Sequence, residues 1–147
     1  MQIVKATTNH LNDLVILFDA YRVFYKQQSN TAAAKKFLLE RLQNNDSIIY
    51  IAYQDKIAVG FTQLFPLFSS VSMQSMYLLN DLYVKSTYRK LGIGEQLINQ
   101  AKQFCITEKQ KGLAIQTAFN NPAQKLYQRL GFVKDTDLHF FWKNTKL

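Results

Sequence analysis

The sequence is short of cysteine, histidine and glycine, and each shortage excludes something. Cys105 is the only cysteine, so neither an intramolecular disulfide nor a cysteine-based metal cluster can form, and a reducing compartment suits the chain. The two histidines, His10 and His139, stand alone without metal-ligand spacing, and no metal is expected. Five glycines, at positions 60, 92, 94, 112 and 131, cannot supply a three-glycine dinucleotide fingerprint, and no Gly-x-x-x-x-Gly-Lys phosphate loop is present. No apolar run approaches the length of a membrane span, and the opening Met1-Gln2-Ile3-Val4-Lys5 lacks a signal-peptide core. The expectation is a cytoplasmic protein with no membrane partner.

Acidic residues are also few, ten against eighteen Lys and Arg, which leaves a formal net charge of +8. Such a balance serves nucleic acid, an anionic membrane surface or a polyanionic small molecule. The cations recur singly and in pairs, as in Lys35-Lys36 and Arg89-Lys90, which also fits an ordinary solvated surface. No nucleic-acid recognition module is visible and the aromatic residues follow core periodicity, so no nucleic-acid partner is expected. What the chain has in quantity is apolar surface: 48% hydrophobic residues, with eleven Phe and eight Tyr in 147 residues. That is enough for one domain, residues 1–147, that buries about two thirds of its unfolded surface.

Periodicity orders the elements. Gln2 to Lys5 reads as a short strand, and Leu11, Leu14, Val15, Phe18, Tyr21 and Tyr25 fall on one helical stripe over 9–25. Arg22 lies in the middle of that stripe. It either pairs internally with Asp19 or faces a cleft and holds an acidic group of a substrate. Residues 31–43 read as a second helix with Thr31 as a candidate N-cap. Residues 47–53 and 58–65 read as strands joined by a hairpin at Gln54-Asp55-Lys56, with Gly60 marking a bulge or a close backbone approach and Pro66 interrupting the second strand. In the strand at 76–84, Tyr77, Leu79, Asp81 and Tyr83 would share one face. Its polar pair Asn80-Asp81 requires hydrogen-bond partners and marks either a structural network or a site. A third helix places Leu97, Ile98, Ala101, Phe104 and Cys105 on one stripe, where the thiol reads as a core residue. Residues 113–117 form a further strand. Asn121 then caps a fourth helix with Gly131 past its end, and 132–134 and 138–143 read as closing strands.

Between the fourth strand and the third helix lies Tyr88-Arg89-Lys90-Leu91-Gly92-Ile93-Gly94-Glu95. A helix N-terminus has about four unpaired amides and roughly half a positive charge. The glycines permit close backbone approach, and the two cations add charge. The stretch reads as an anion site, or as a tight turn on a basic surface.

Arg-x-x-Gly-x-Gly opening a helix, followed twenty-six residues after Gly94 by Asn120-x-x-Ala123-x-x-x-Tyr127 and then Gly131-Phe132, resembles the GNAT superfamily of N-acetyltransferases. Asp81-Leu82-Tyr83-Val84 ahead of the loop fits the same pattern. The resemblance covers the whole chain. It implies an α/β (α+β) domain whose mixed, mostly antiparallel sheet of about seven strands, flanked by about four helices, splays open between the fourth and fifth strands to take acetyl-CoA. It further implies that the backbone of Leu82, Tyr83 and Val84 pairs with the pantetheine arm, with the Val84 amide aimed at the thioester oxygen. The amides of Arg89, Lys90, Leu91, Gly92, Ile93 and Gly94 would hold the pyrophosphate, Asn120 would contact the pantetheine side, and Tyr127 would protonate the leaving thiolate.

The implied reaction is acetylation of a small-molecule amine through a ternary complex, with acetylation of a protein lysine or amino terminus, or non-catalytic acyl-CoA binding, as alternatives. A lysine-like amine of pKa about 10.4 is nucleophilic in roughly one molecule in 10³ at neutral pH, a penalty of about 4–5 kcal/mol that a base or a desolvating site must offset. The chain departs from the family here: several members that acetylate small amines carry a glutamate base where this sequence has Asn80. Asp81 is the nearest carboxylate, so the base is Asp81 at a bulge, a water chain, or none. Arg22, Tyr21 and Tyr25 are candidates for the acceptor pocket. The resemblance also suggests a homodimer.

Overall fold

A computed structural model describes residues 1–147, which group into two compact units, Met1–Gln116 and Thr117–Leu147. The first holds β1 (Gln2–Lys5), α1 (Leu11–Phe24), α2 (Thr31–Asn44), β2 (Ile48–Gln54), β3 (Ile57–Ser69), β4 (Gln74–Val84), α3 (Ile93–Thr107) and β5 (Leu113–Ile115). The second holds α4 (Gln124–Arg129). No helix is long and apolar enough to cross a membrane.

The five strands form one sheet in the order β1-β2-β3-β4-β5; the first four are antiparallel and β5 runs parallel to β4. α3 makes the crossover that a parallel pair requires. The β2–β3 hairpin turns on Asp55 and Lys56, both with positive φ, the two-residue geometry whose twist matches that of paired strands. Alternation divides the strands between two cores. Ile49, Ile51 and Phe61 join Leu14, Leu17 and Leu38 beneath α1 and α2. Tyr50 and Tyr77 instead turn their rings to Phe104 of α3, at 6.4 and 5.0 Å between centroids. Each fully buried aliphatic side chain contributes roughly 1.5–3 kcal/mol, so both packings hold the sheet firmly.

Several expectations are refined. Asn30, not Thr31, caps α2, its side chain accepting from the Ala33 amide at 3.0 Å. β3 runs on through Pro66, because β2 pairs only as far as Leu64 and beyond it β3 is an edge, where a missing N–H is tolerated. Gly60 satisfies both readings made of it: the register slips beside it, leaving Val59 as an extra residue, and a Cβ at Gly60 would lie 2.8 Å from the Tyr83 carbonyl. Cys105 is buried, and burial pushes its thiol pKa up.

Two corrections are larger. The sheet has five strands, not about seven: 132–134 and 138–143 form neither helix nor strand. Those segments are rich in β-forming side chains, but a strand exists only through a partner ladder, and none pairs with them. Phe140 and Trp142 there are 85% and 81% exposed. The second correction is the face of Asp81. Gln63 pairs with Asp81 while Leu64 pairs with Leu79, so Asn80 is an extra residue in β4, a β-bulge. The bulge reverses the alternation. Tyr77 faces α3, whereas Asp81 and Tyr83, on the same face in a regular strand, turn toward α1.

Candidate active site

β4 outruns β5. The pair is in register only at Tyr77–Leu113, Leu78–Ala114 and Leu79–Ile115, after which β4 continues five residues, Asn80 to Val84, with no strand paired on that side. The splay expected between the fourth and fifth strands is therefore present, and it begins at the bulge. Leu82, Tyr83 and Val84 remain tied on their other edge to Thr62, Phe61 and Gly60 of β3.

The loop after β4 is the stretch read as an anion site or a tight turn. A single 3-10 turn, Ser86–Tyr88, leads to Arg89; Lys90 then adopts φ +64°, and Gly92, at φ +80°, caps α3 without any side chain accepting from the helix. A left-handed φ is the reason for glycine here, since a Cβ at Gly92 would meet nothing within 4 Å. The amides of Ile93 and Gly94 lie in the first helical turn, where no intrahelical acceptor exists, and the helix dipole adds positive potential. Arg89 is fixed from both sides: its Nε donates to the Val84 carbonyl at 2.9 Å, and its guanidinium lies 5.0 Å from the Phe24 ring and 5.6 Å from Tyr83. Phe24 had no part in the sequence reading.

On the α1 side of the bulge lies a buried polar network. Asp81 is 3% exposed. Its Oδ2 accepts from Gln63 Nε2 at 2.5 Å and its Oδ1 from Asn80 Nδ2 at 2.8 Å. Gln63, fully buried, is itself oriented by Ser47, whose Oγ donates to Oε1 at 2.9 Å, and Thr62 Oγ1 donates to the Asp81 carbonyl at 2.8 Å. The Tyr21 hydroxyl lies 3.4 Å from the Asn80 carbonyl, and it and the Asp81 carboxylate act on each other's titration. Burial pushes the Asp81 pKa above the ordinary carboxylate value, against the opposing pull of Gln63, Asn80 and Tyr21. The same burial, with the Asp81 charge, pushes Tyr21 well above the usual phenol value. Gln63 and Ser47 also escaped the sequence reading. The available signal was Gln63 itself, a large polar side chain within a β-rich run, as informative as Asn80-Asp81.

The remaining predicted residues fall as follows. Tyr25 is largely exposed, its ring 5.1 Å from Tyr21 and 5.3 Å from Phe24. Arg22 donates to the Gln28 carbonyl at 3.1 Å and lies 3.9 Å from Asp19, which is the internal pairing. In the second unit, Asn120 is exposed in the turn before α4. Tyr127 is half-buried on α4, and Gly131, at φ +93°, ends that helix. The Phe132 amide then reaches back to the Tyr127 carbonyl at 3.0 Å and the two rings stand 6.2 Å apart, a Schellman cap with its hydrophobic contact.

Known proteins match this chain in sequence and in fold. The acetyltransferase (GNAT) domain family matches residues 45–134. An uncharacterized N-acetyltransferase of Bacillus subtilis (strain 168), YhfO, is 42% identical over 137 residues, 92% of each chain. The chain belongs to the GNAT acetyltransferase family. A crystal structure of a "probable acetyltransferase" superposes with a TM-score of 0.91 at 36% identity, covering 99% of both chains. The aminoglycoside N-acetyltransferase AAC(6')-Iy in complex with CoA has the same fold, with a TM-score of 0.81 at 23% identity over 97% of this chain and 93% of that one.

GNAT acetyltransferases use acetyl-CoA, and the residues present fit it. A pyrophosphate needs convergent donors, which the uncapped start of α3 supplies beside Arg89 and Lys90. A pantetheine arm carries amides spaced along an extended chain, and β4 beyond Leu79 offers it an unpaired edge.

Proposed function

We propose that this GNAT acetyltransferase transfers the acetyl group of acetyl-CoA to a primary amine of a small molecule, by direct attack within a ternary complex. The observation that carries this reading is the meeting, at the Asn80 bulge, of an unpaired strand edge suited to the thioester arm and a buried carboxylate held toward α1. The chain would work as one cytoplasmic domain, residues 1–147.

Each residue has a stated task. Leu82, Tyr83 and Val84 align the acyl arm, with the Val84 amide donating to the carbonyl oxygen as negative charge gathers there. The loop from Arg89 to Gly94 holds the pyrophosphate. Asp81 accepts the proton that the amine must lose, and its raised pKa suits a base. Tyr127 gives a proton to the departing thiolate, and Asn120 steadies the pantetheine. On the acceptor side, Tyr21, Phe24 and Tyr25 offer aromatic faces to an ammonium group. With Arg22 drawn to Asp19 and Gln28, the amine itself rather than an acidic group of the acceptor is the recognised feature.

The test is a screen of an amine library, including aminoglycosides, polyamines and aromatic monoamines, following release of the CoA thiol. Acetylation of at least one small amine, confirmed by mass, is expected. Acetyl-CoA binding in calorimetry without thiol release across the library would mark a binding module instead.

A further inference from the structure

Asp81 cannot meet an acceptor directly. The residue is 3% exposed, and both carboxylate oxygens are already engaged, Oδ2 by Gln63 and Oδ1 by Asn80. Those two partners are amides, which donate a proton without passing one on. The third neighbour differs. Tyr21 bears a hydroxyl, able to give a proton and take another in the same motion. It comes from α1, and its ring is steadied by Tyr25 at 5.1 Å, Phe61 at 5.7 Å, and Phe18 and Tyr83 at 6.3 Å. Its hydroxyl lies 3.4 Å from the carbonyl of Asn80, the residue beside Asp81, and the Asp81 charge acts on it. Unlike Asp81, Tyr21 is only partly buried.

We propose that Tyr21 is a catalytic residue of the acetylation, a proton conduit from the acceptor amine to Asp81, with Gln63 and Ser47 as positioning residues that hold the carboxylate for it. The inference rests on the amine-acetylation reading above. As the amine nitrogen bonds to the thioester carbon it becomes strongly acidic. Its N–H bond then breaks toward the Tyr21 oxygen while the Tyr21 O–H bond breaks toward Asp81. Tyr21 ends as it began, Asp81 ends neutral, and the amine has lost one proton. Burial keeps the phenol protonated, so it acts as a conduit rather than as a base.

The surroundings leave the carboxylate little competition. α1 presents Tyr21 and, behind it, Tyr25; β3 presents the neutral Thr62 and Gln63; and β4 adds Asn80 and Tyr83. α3, with its own charged residues, packs on the other face. The amide of Gln63 points Nε2 at Asp81 because Ser47 donates to its Oε1.

The experiment uses the full-length protein with an acceptor found in the amine screen. Tyr21→Phe keeps the ring contacts and removes only the hydroxyl. Expected are unchanged acetyl-CoA affinity, a kcat lower by about 10²-fold or more, and loss of the acidic limb of the kcat/KM profile. Asp81→Asn should behave alike, and Y21F/D81N should be no slower than the slower single variant, as for groups acting as a unit. Ser47→Ala should retain most of kcat but move the acidic limb to higher pH, because a loosened Gln63 stabilises the carboxylate less. A merely structural Ser47 would leave the limb in place. Wild-type kcat and an intact acidic limb in Tyr21→Phe would overturn the conduit and leave the acetyltransferase reading standing. A wild-type protein that binds acetyl-CoA yet acetylates no amine would overturn both.

Discussion

Arg89 places its guanidinium 5.0 Å from the ring of Phe24, and so ties the loop that opens α3 to the last residue of α1. The same side chain donates to the Val84 carbonyl, at the end of the splayed strand. One residue thus holds the loop that opens α3, the free end of β4 and the end of α1 in a common register. This is a stronger constraint than a cation placed beside an anion site.

Arg89→Ala should therefore weaken acetyl-CoA binding beyond the loss of one charge. A cation–π contact and a charged hydrogen bond together are worth about 1–3 kcal/mol, or roughly 5- to 150-fold in affinity. Arg89→Lys should recover little of it, because an ammonium lacks the planar fork that stacks and donates together. Calorimetry with acetyl-CoA decides; an unchanged Kd in Arg89→Ala would show that the loop is held without it.

The two best-explained glycines should fail in different ways. A Cβ at Gly60 would lie 2.8 Å from the Tyr83 carbonyl and 3.3 Å from Val84 Cγ2, so Gly60→Ala must push β3 from β4 and should destabilise the fold by about 1–3 kcal/mol. Gly92→Ala meets open space, and its cost, roughly 1–2 kcal/mol, comes only from the left-handed backbone. Thermal melts with and without acetyl-CoA separate them. Gly60→Ala should lower Tm in both, whereas Gly92→Ala should also lose part of the ligand-induced rise.

Much of this arrangement could be read from the chain. The loop from Arg89 to Gly94, the α3 stripe, the β2–β3 hairpin and the cap at Gly131 depend on local chemistry, and local chemistry is written in consecutive residues. What was left open or escaped depends on partners. A bulge at Asp81 is one of the alternatives the sequence leaves open; it is a property of two strands together, and it decides that Asp81 faces Tyr21 rather than α3. Ser47 and Gln63 lie sixteen residues apart in sequence and meet only through that pairing. The closing strands were expected from side-chain preference alone, which cannot supply a neighbour.

Asp19 should make stability depend on pH at the acidic end. Its carboxylate accepts from Ser29 Oγ at 2.6 Å and the Asn30 amide at 2.8 Å, and lies 3.9 Å from Arg22. The Ser29 bond, then the Asn30 bond, hold its pKa below the usual value despite burial. A carboxyl with a lowered folded pKa contributes stability above its unfolded pKa of about 3.9, and loses it as pH falls through the folded value. Asp19→Asn should accordingly lower Tm most near neutral pH, with the gap to wild type closing below about pH 4. A gap that stays constant down to pH 3 would exclude a role for the charge.

Tyr127→Phe isolates the proposed proton donor from the helix that carries it. The ring of Tyr127 closes the α4 cap against Phe132, and the cap's hydrogen bonds use backbone groups at Tyr127, Gln128, Gly131 and Phe132, none of which the substitution alters. The melting temperature should therefore stay close to that of wild type. The thiolate would then leave without a proton, and positioned acids contribute about 10²–10⁴-fold, less where the leaving group is already a good one. A kcat lower by about 10- to 100-fold, with KM for acetyl-CoA nearly unchanged, is the expected signature of an interaction made only in the transition state. Acyl donors whose thiols are more acidic than that of CoA should narrow the gap between Tyr127→Phe and wild type, since they need less help in leaving. A deficit that is constant across such donors would mean that Tyr127 packs against the substrate rather than protonating it.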